Sequence, residues 1–207
     1  MMTGAGISDD FLRKIRGEFP AFRLRYKRDS LVQRAIGTAL RIVTFGGMTT
    51  YVSGYHTVMA GTLWVSEGWT SMTDCDRYVL LRHERVHLQQ ARRYGVLPMA
   101  LVYLFFPLPF GLAYGRARIE WEAYEETLRA LVEVRGLDAA RKQKSWLRAR
   151  FVGPDYAWMW PFPSAIDRWF DEAMAKLERA EQSGTLVLEE TLRAHGWTRG
   201  DEGPSSA

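Results

Sequence analysis

Apolar residues recur at helical spacing in most of the chain and alternate only in one short region. Ser8-Asp9-Asp10 followed by Phe11, Leu12 and Ile15 reads as a short capped helix. Ser30 opens a second, whose Leu31, Ala35, Ile36, Ala39, Leu40 and Val43 share one face. Residues 49–65 carry β-branched and aromatic residues around Gly54 and Gly61, which predicts a hairpin or small antiparallel sheet. Thr73 or Asp74 caps a helix that runs through Val79, Leu80 and Val86 to a stop at Gly95. A further helix is expected from Arg116 to Gly136, with Ala117, Trp121, Tyr124, Leu128, Leu131 and Val132 along one stripe. Residues 138–150 form a basic helix, 151–163 an aromatic loop broken by prolines, and Ser164 caps a helix through Ile166, Trp169, Phe170, Met174 and Leu177. A short helix spans 185–195, and the polar tail from 198 to 207 reads as disordered, leaving residues 1–197 as one domain. The expected fold class is α+β, predominantly helical, with a small sheet beside the helix of residues 74–95.

Length and composition agree with a single core: 207 residues, 47% apolar, suffice for one domain and are few for two. A net charge of +4 from 28 basic and 24 acidic residues excludes an acidic disordered chain and a polybasic arm. The run from Arg23 to Arg28 is basic and aromatic and reads as a solvated face, and the basic runs form no nucleic-acid reading motif. The single cysteine, Cys75, closes no internal disulfide and reads as a small buried hydrophobe in a reducing, cytoplasmic setting. Met1 to Arg16 has Asp9 and Asp10 where a signal peptide needs an apolar run.

Chemistry concentrates in His83-Glu84-Arg85-Val86-His87, an HExxH motif within a helical segment. Four residues are slightly more than one turn, so both imidazoles project from one face and can hold one Zn2+, with Glu84 beside them to take a proton from water. Two histidines leave a catalytic zinc one protein ligand short. No third histidine follows at short spacing; downstream stands Arg118-Ile119-Glu120-Trp121-Glu122-Ala123-Tyr124-Glu125-Glu126.

An HExxH helix followed by a helix bearing Glu120-Trp121-Glu122-Ala123 resembles the gluzincin class of zinc metallopeptidases. The run Arg-x-Glu-x-x-Ala is similar in particular to the membrane-associated relatives of the CAAX prenyl proteases and bacterial heat-shock metalloproteases. The resemblance spans two helices. It implies that Glu120 is the third ligand and that a zinc-activated water attacks a peptide bond of a peptide or protein substrate, with Glu84 as general base. Glu122 competes through its spacing to Glu126. At about 100° per residue Glu120 lies roughly 60 to 70° from the middle of the apolar stripe and Glu122 about twice as far, which favours Glu120. Tyr124 departs from the resembling pattern, which has an acidic residue there to orient a histidine; Glu122, Glu125 and Glu126 are the candidates for that part. Tyr156 and His56 are the candidate donors to a developing oxyanion. His195 reads as a cation at a helix end.

From Tyr94 to Gly115 the chain carries no charge, close to the about 20 residues that span a bilayer. Pro107 and Pro109 break the run. His87 lies just before it and Glu120 just after, so a single crossing would separate two ligands of one ion by a hydrocarbon layer about 30 Å thick. Two readings follow: a buried helical excursion in a soluble core, or a re-entrant helical hairpin of residues 96–114 that dips into a membrane surface. In the second, Trp146, Trp158, Trp160 and Trp169, with Arg141, Lys142, Lys144, Arg148 and Arg150, serve as interfacial anchors. The alternative to an enzyme is a non-catalytic module that contains zinc or binds a membrane or partner.

Overall fold

A computed structural model describes residues 6–43, 56–59, 61–95, 98, 113–153 and 158–198, with the side chains of 39–43 set aside. It is predominantly helical with one small three-stranded sheet, an α+β fold. Chain order is α1 (Ile7–Glu18), β1 (Arg23–Tyr26), α2 (Leu31–Val43), β2 (Thr57–Met59), β3 (Thr62–Val65) and α3 (Asp74–Tyr94). The second half continues with α4 (Tyr114–Arg135), α5 (Leu137–Arg141), α6 (Lys144–Val152), α7 (Pro163–Gln182) and α8 (Glu190–Ala194).

β2 and β3 form the expected antiparallel hairpin, with Val58 opposite Leu63, and residues 49–55 of the predicted strand region lie outside the described residues. The sheet also holds a strand that the reading of 23–28 as a solvated face does not contain: β1 pairs parallel to β3, Leu24 beside Leu63 and Tyr26 beside Val65. Arg23-Leu24-Arg25-Tyr26 alternates with period two, so Leu24 and Tyr26 pack against the core while the guanidinium groups stay outside. Lys27, at the end of that strand, is fully buried, and its Nζ donates to Thr57 Oγ1 at 2.8 Å.

α3 and α4 form the centre of the molecule. Thr73 caps α3, its hydroxyl accepting from the Asp76 N–H at 3.1 Å, and Gly95, with φ of 87°, ends it. α1 begins at Ile7 with Gly6 at its N-cap position, so Ser8-Asp9-Asp10 lies inside the helix and does not cap it; the neighbouring Asp74 instead reaches back, its carboxylate accepting from the Ile7 and Ser8 backbone N–H groups. A β-carbon on Gly6 would stand 2.5 Å from that carboxylate, so the approach depends on glycine. Arg82 meets Glu133 while Gln90 meets Ile119, so α3 and α4 run antiparallel and Tyr94 and Tyr114 leave from the same end. The chain between them therefore has ends that meet. Among the described residues no helix is long and apolar enough to cross a membrane.

The seam is apolar: Tyr78, Leu81 and Leu88 from α3 with Ala117, Trp121, Tyr124, Leu128 and Leu131 from α4 are buried in one cluster. Burial of each large side chain contributes about 2 kcal/mol, against at most about 1 kcal/mol for an exposed ion pair, so the seam outweighs surface charge. Cys75 is buried in the same cluster.

The expected basic helix of 138–150 divides at Lys142 and Gln143 into α5 and α6. Three of its charges face α7: Arg141 pairs with Glu178 at 2.8 Å, Lys144 with Asp171 at 2.6 Å and Arg148 with Asp167 at 3.2 Å, while Arg150 stands over the Trp146 ring. These three charges form an inter-helix ladder. Phe151, expected to open a loop, is the buried end of α6, and Pro163 rather than Ser164 begins α7, where its missing N–H is not needed. Of the helix expected over 185–195 only Glu190–Ala194 is helical, and the tail from 199 lies outside the described residues.

Candidate functional site

His83 and His87 project from the middle of α3 towards α4, as one-turn spacing requires. Their Nε2 atoms stand 3.2 Å apart, and Glu120 Oε2 stands 3.7 Å from Nε2 of His87. One ligand atom from each of the three residues lies within 4.8 Å of the others. Glu120 is buried at 4% exposure, whereas Glu122 is exposed.

Which ring nitrogens carry protons follows from the surrounding hydrogen bonds. Gln90 donates through Nε2 to Glu122 Oε2 at 2.9 Å and to the Ile119 carbonyl at 3.0 Å, which turns its Oε1 to His87 Nδ1 at 2.9 Å. An amide oxygen only accepts, so His87 Nδ1 bears the proton. Thr127 donates to the Ala123 carbonyl at 3.1 Å and takes a bond from His83 Nδ1 at 3.0 Å. Both rings are thereby set with the Nε2 lone pair inward. Two lone pairs and a carboxylate facing one another repel unless a cation lies among them. The ligands of a tetrahedral ion with bonds of about 2.0 Å sit about 3.3 Å apart, close to the 3.2 and 3.7 Å separations here, so the three residues could hold a divalent ion such as zinc.

Electrostatics around the cluster follow from desolvation. Burial, aided by the neighbouring His87, holds the His83 imidazolium form well below its ordinary range. The Glu84 carboxyl is pushed up to about 7, chiefly by burial and further by Glu120, while His87 and Lys27 oppose the shift. Glu84 is 4% exposed, and its Oε2 has no hydrogen-bond partner among the described residues. Burial also lowers the Lys27 ammonium to about 8, against the pull of Glu84.

The other residues singled out in the sequence are placed as follows. Glu122 acts on the cluster through Gln90, Glu126 binds Arg82, and Glu125 lies 3.8 Å from Lys176 at the surface. Tyr124 stacks edge-on against His83, ring centres 4.8 Å apart, so packing occupies the position where the resembling pattern has a carboxylate. Tyr156 lies outside the described residues. His56 accepts the Ser66 backbone N–H on Nδ1 at 3.3 Å, and burial beside Lys27 lowers it to about 4, so it is neutral with its proton on Nε2. His195 caps the end of α8 and pairs with Asp10, away from the cluster.

Thr127, Gln90 and Lys27 were not anticipated. Two had a signal: Thr127 is seven residues beyond Glu120, on the same face of α4, and Gln90 follows His87 by three. Gln90→Leu should leave the fold intact and weaken zinc binding about 10- to 100-fold, because the orienting partner of a histidine ligand is lost. Competition with a calibrated zinc chelator measures it; unchanged affinity would remove Gln90 from this part.

No family model matches the chain, and neither a curated protein nor a solved structure matches it.

Proposed function

We propose that the chain is a zinc-dependent hydrolase of peptide bonds, with zinc held by His83, His87 and Glu120 and with Glu84 as general base. The observation that carries this reading is the convergence of two inward Nε2 lone pairs and a buried carboxylate, each ring locked in the ligating tautomer by its own partner. A divalent ion in that position supplies a Lewis acid and brings the pKa of water down to about 7.

The chain's own residues divide the remaining work. Glu84, next to His83 on the helix and with one unbonded buried oxygen, receives the proton of the attacking water and delivers it to the leaving amine. Glu122 holds Gln90, Gln90 holds His87, and Thr127 holds His83, so the rings keep one orientation through the cycle. β2 packs against α3 and, among the described residues, is an edge strand of the sheet, so an extended peptide added along it would lie across the HExxH helix. That edge favours a peptide over a compact substrate.

Metal analysis tests the reading directly. Protein purified without chelator should hold about one zinc per chain, and His83→Ala or His87→Ala should reduce this to trace amounts. Cleavage of an unfolded test protein should stop on chelation and return with added zinc. Absence of stoichiometric zinc from the wild-type protein would overturn the proposal.

A further inference from the structure

We propose that Trp146 determines specificity in the hydrolase, its exposed indole forming a subsite for an aromatic or branched aliphatic side chain of the substrate close to the cleaved bond. The inference rests on the zinc hydrolase reading and names the class of peptide that its site takes. Three rings in contact lead from a candidate metal ligand to solvent. Tyr124 meets His83 edge-on with ring centres 4.8 Å apart, and Trp146 of α6 meets Tyr124 edge-on at 6.0 Å. Tyr124 is buried, whereas Trp146 is 43% exposed. An extended peptide advances about 3.3 Å per residue, so a chain with its carbonyl at the cluster covers those two ring spacings in about three residues.

Electrostatics place the same part of α6 beside the cluster. After burial and His87, the Arg150 guanidinium adds to the lowering of the His83 imidazolium. Arg150 follows Trp146 by one helical turn and stands 4.4 Å from the centre of its ring. The indole is carried on a rigid element. Leu147 and Phe151 are buried, and Phe151 lies 5.6 Å from Tyr124 and 6.0 Å from Trp121, which fixes α6 on α4. Lys144 and Arg148 tie it to α7 through Asp171 and Asp167. With one face of the indole under Arg150 and an edge against Tyr124, the surface left open is aromatic and apolar, and a flat or branched apolar side chain covers it best.

A peptide library varied one position at a time around a cleavable sequence tests this on the zinc-loaded full chain. At one position within about three residues of the cut, phenylalanine or leucine should raise kcat/KM about 10-fold over serine. Trp146→Ala should bring that ratio close to one, with thermal melts and zinc content confirming that the variant is folded and loaded. Should it fail to fold, Trp146→Leu decides, since it should lower kcat/KM for phenylalanine more than for leucine. A wild type without the preference would overturn the proposal, as would a folded variant that slows every peptide alike or keeps the wild-type ratio. So would a wild-type dimer that Trp146→Ala abolishes, which would assign the indole to a second copy. Absence of zinc or of any cleavage by the wild type overturns the hydrolase reading and the subsite together, whereas cleavage that is indifferent to Trp146 overturns the subsite alone.

Discussion

Glu84→Gln should lower kcat on an unfolded protein substrate by about 10²- to 10⁴-fold while the chain still holds zinc as tightly as the wild type. Glutamine keeps the volume and one oxygen of the carboxylate, so the buried pocket of α3 remains filled, but it accepts no proton at neutral pH. The substitution therefore separates proton transfer from folding and from metal binding. Retained zinc with retained cleavage would place the chemistry elsewhere. Loss of zinc together with cleavage would instead make Glu84 part of the ligand shell. Replacing His83, His87 or Glu120 should instead lower zinc binding itself, because each supplies one of the three convergent donors.

The second large effect concerns stability. Arg82 precedes the HExxH motif, is 3% exposed, and donates to Glu133 Oε2 at 2.8 Å, to the Tyr78 hydroxyl at 2.7 Å and to Glu126. Glu133 is fully buried, and its other partners are Arg129 at 3.0 Å and the Glu189 backbone N–H at 3.2 Å. Arg82→Met leaves that carboxylate in the apolar seam without its buried cation, which should cost about 3–5 kcal/mol and lower Tm on the order of 10 °C. Arg82→Met combined with Glu133→Leu removes both charges and should recover most of the loss, since a buried ion pair is worth little against well-packed apolar side chains. Denaturant melts of the two proteins check this. A loss below about 1 kcal/mol in the single variant would mean that water reaches Glu133. The network also joins α3, α4 and the segment before α8, away from Glu120, and holds the helix pair in register.

Much of this arrangement was legible in one dimension because it depends on helical phase. Phase put His83 and His87 on one face of α3 and placed Glu120, not Glu122, towards the apolar stripe of α4, and in the structure Glu120 faces His87 while Glu122 reaches Gln90. β1 was hidden for a different reason. Two arginines in four residues resemble a solvated face, and only a partner strand at Thr62–Val65 shows that the alternation is that of a sheet.

By itself, the order of residues determined the helices of the core, the pair of histidines one turn apart, the glutamate able to meet them, and the opposition between a single membrane crossing and one shared ion. All of these rest on local geometry, on periods of about 3.6 and 2 residues and on the short reach of a coordination bond. Tertiary structure decided which groups orient His83 and His87. Thr127 and Gln90 act across the α3–α4 seam, Lys27 comes to lie near Glu84 only because β1 joins the sheet, and Arg148 meets Asp167 only because α6 folds onto α7. Lys27 and Glu84, like Arg148 and Asp167, are separated along the chain and carry no shared period, so no pattern in the residues announces them; Gln90 and Thr127 keep a helical spacing to His87 and Glu120, but only packing across the seam turns them towards the rings.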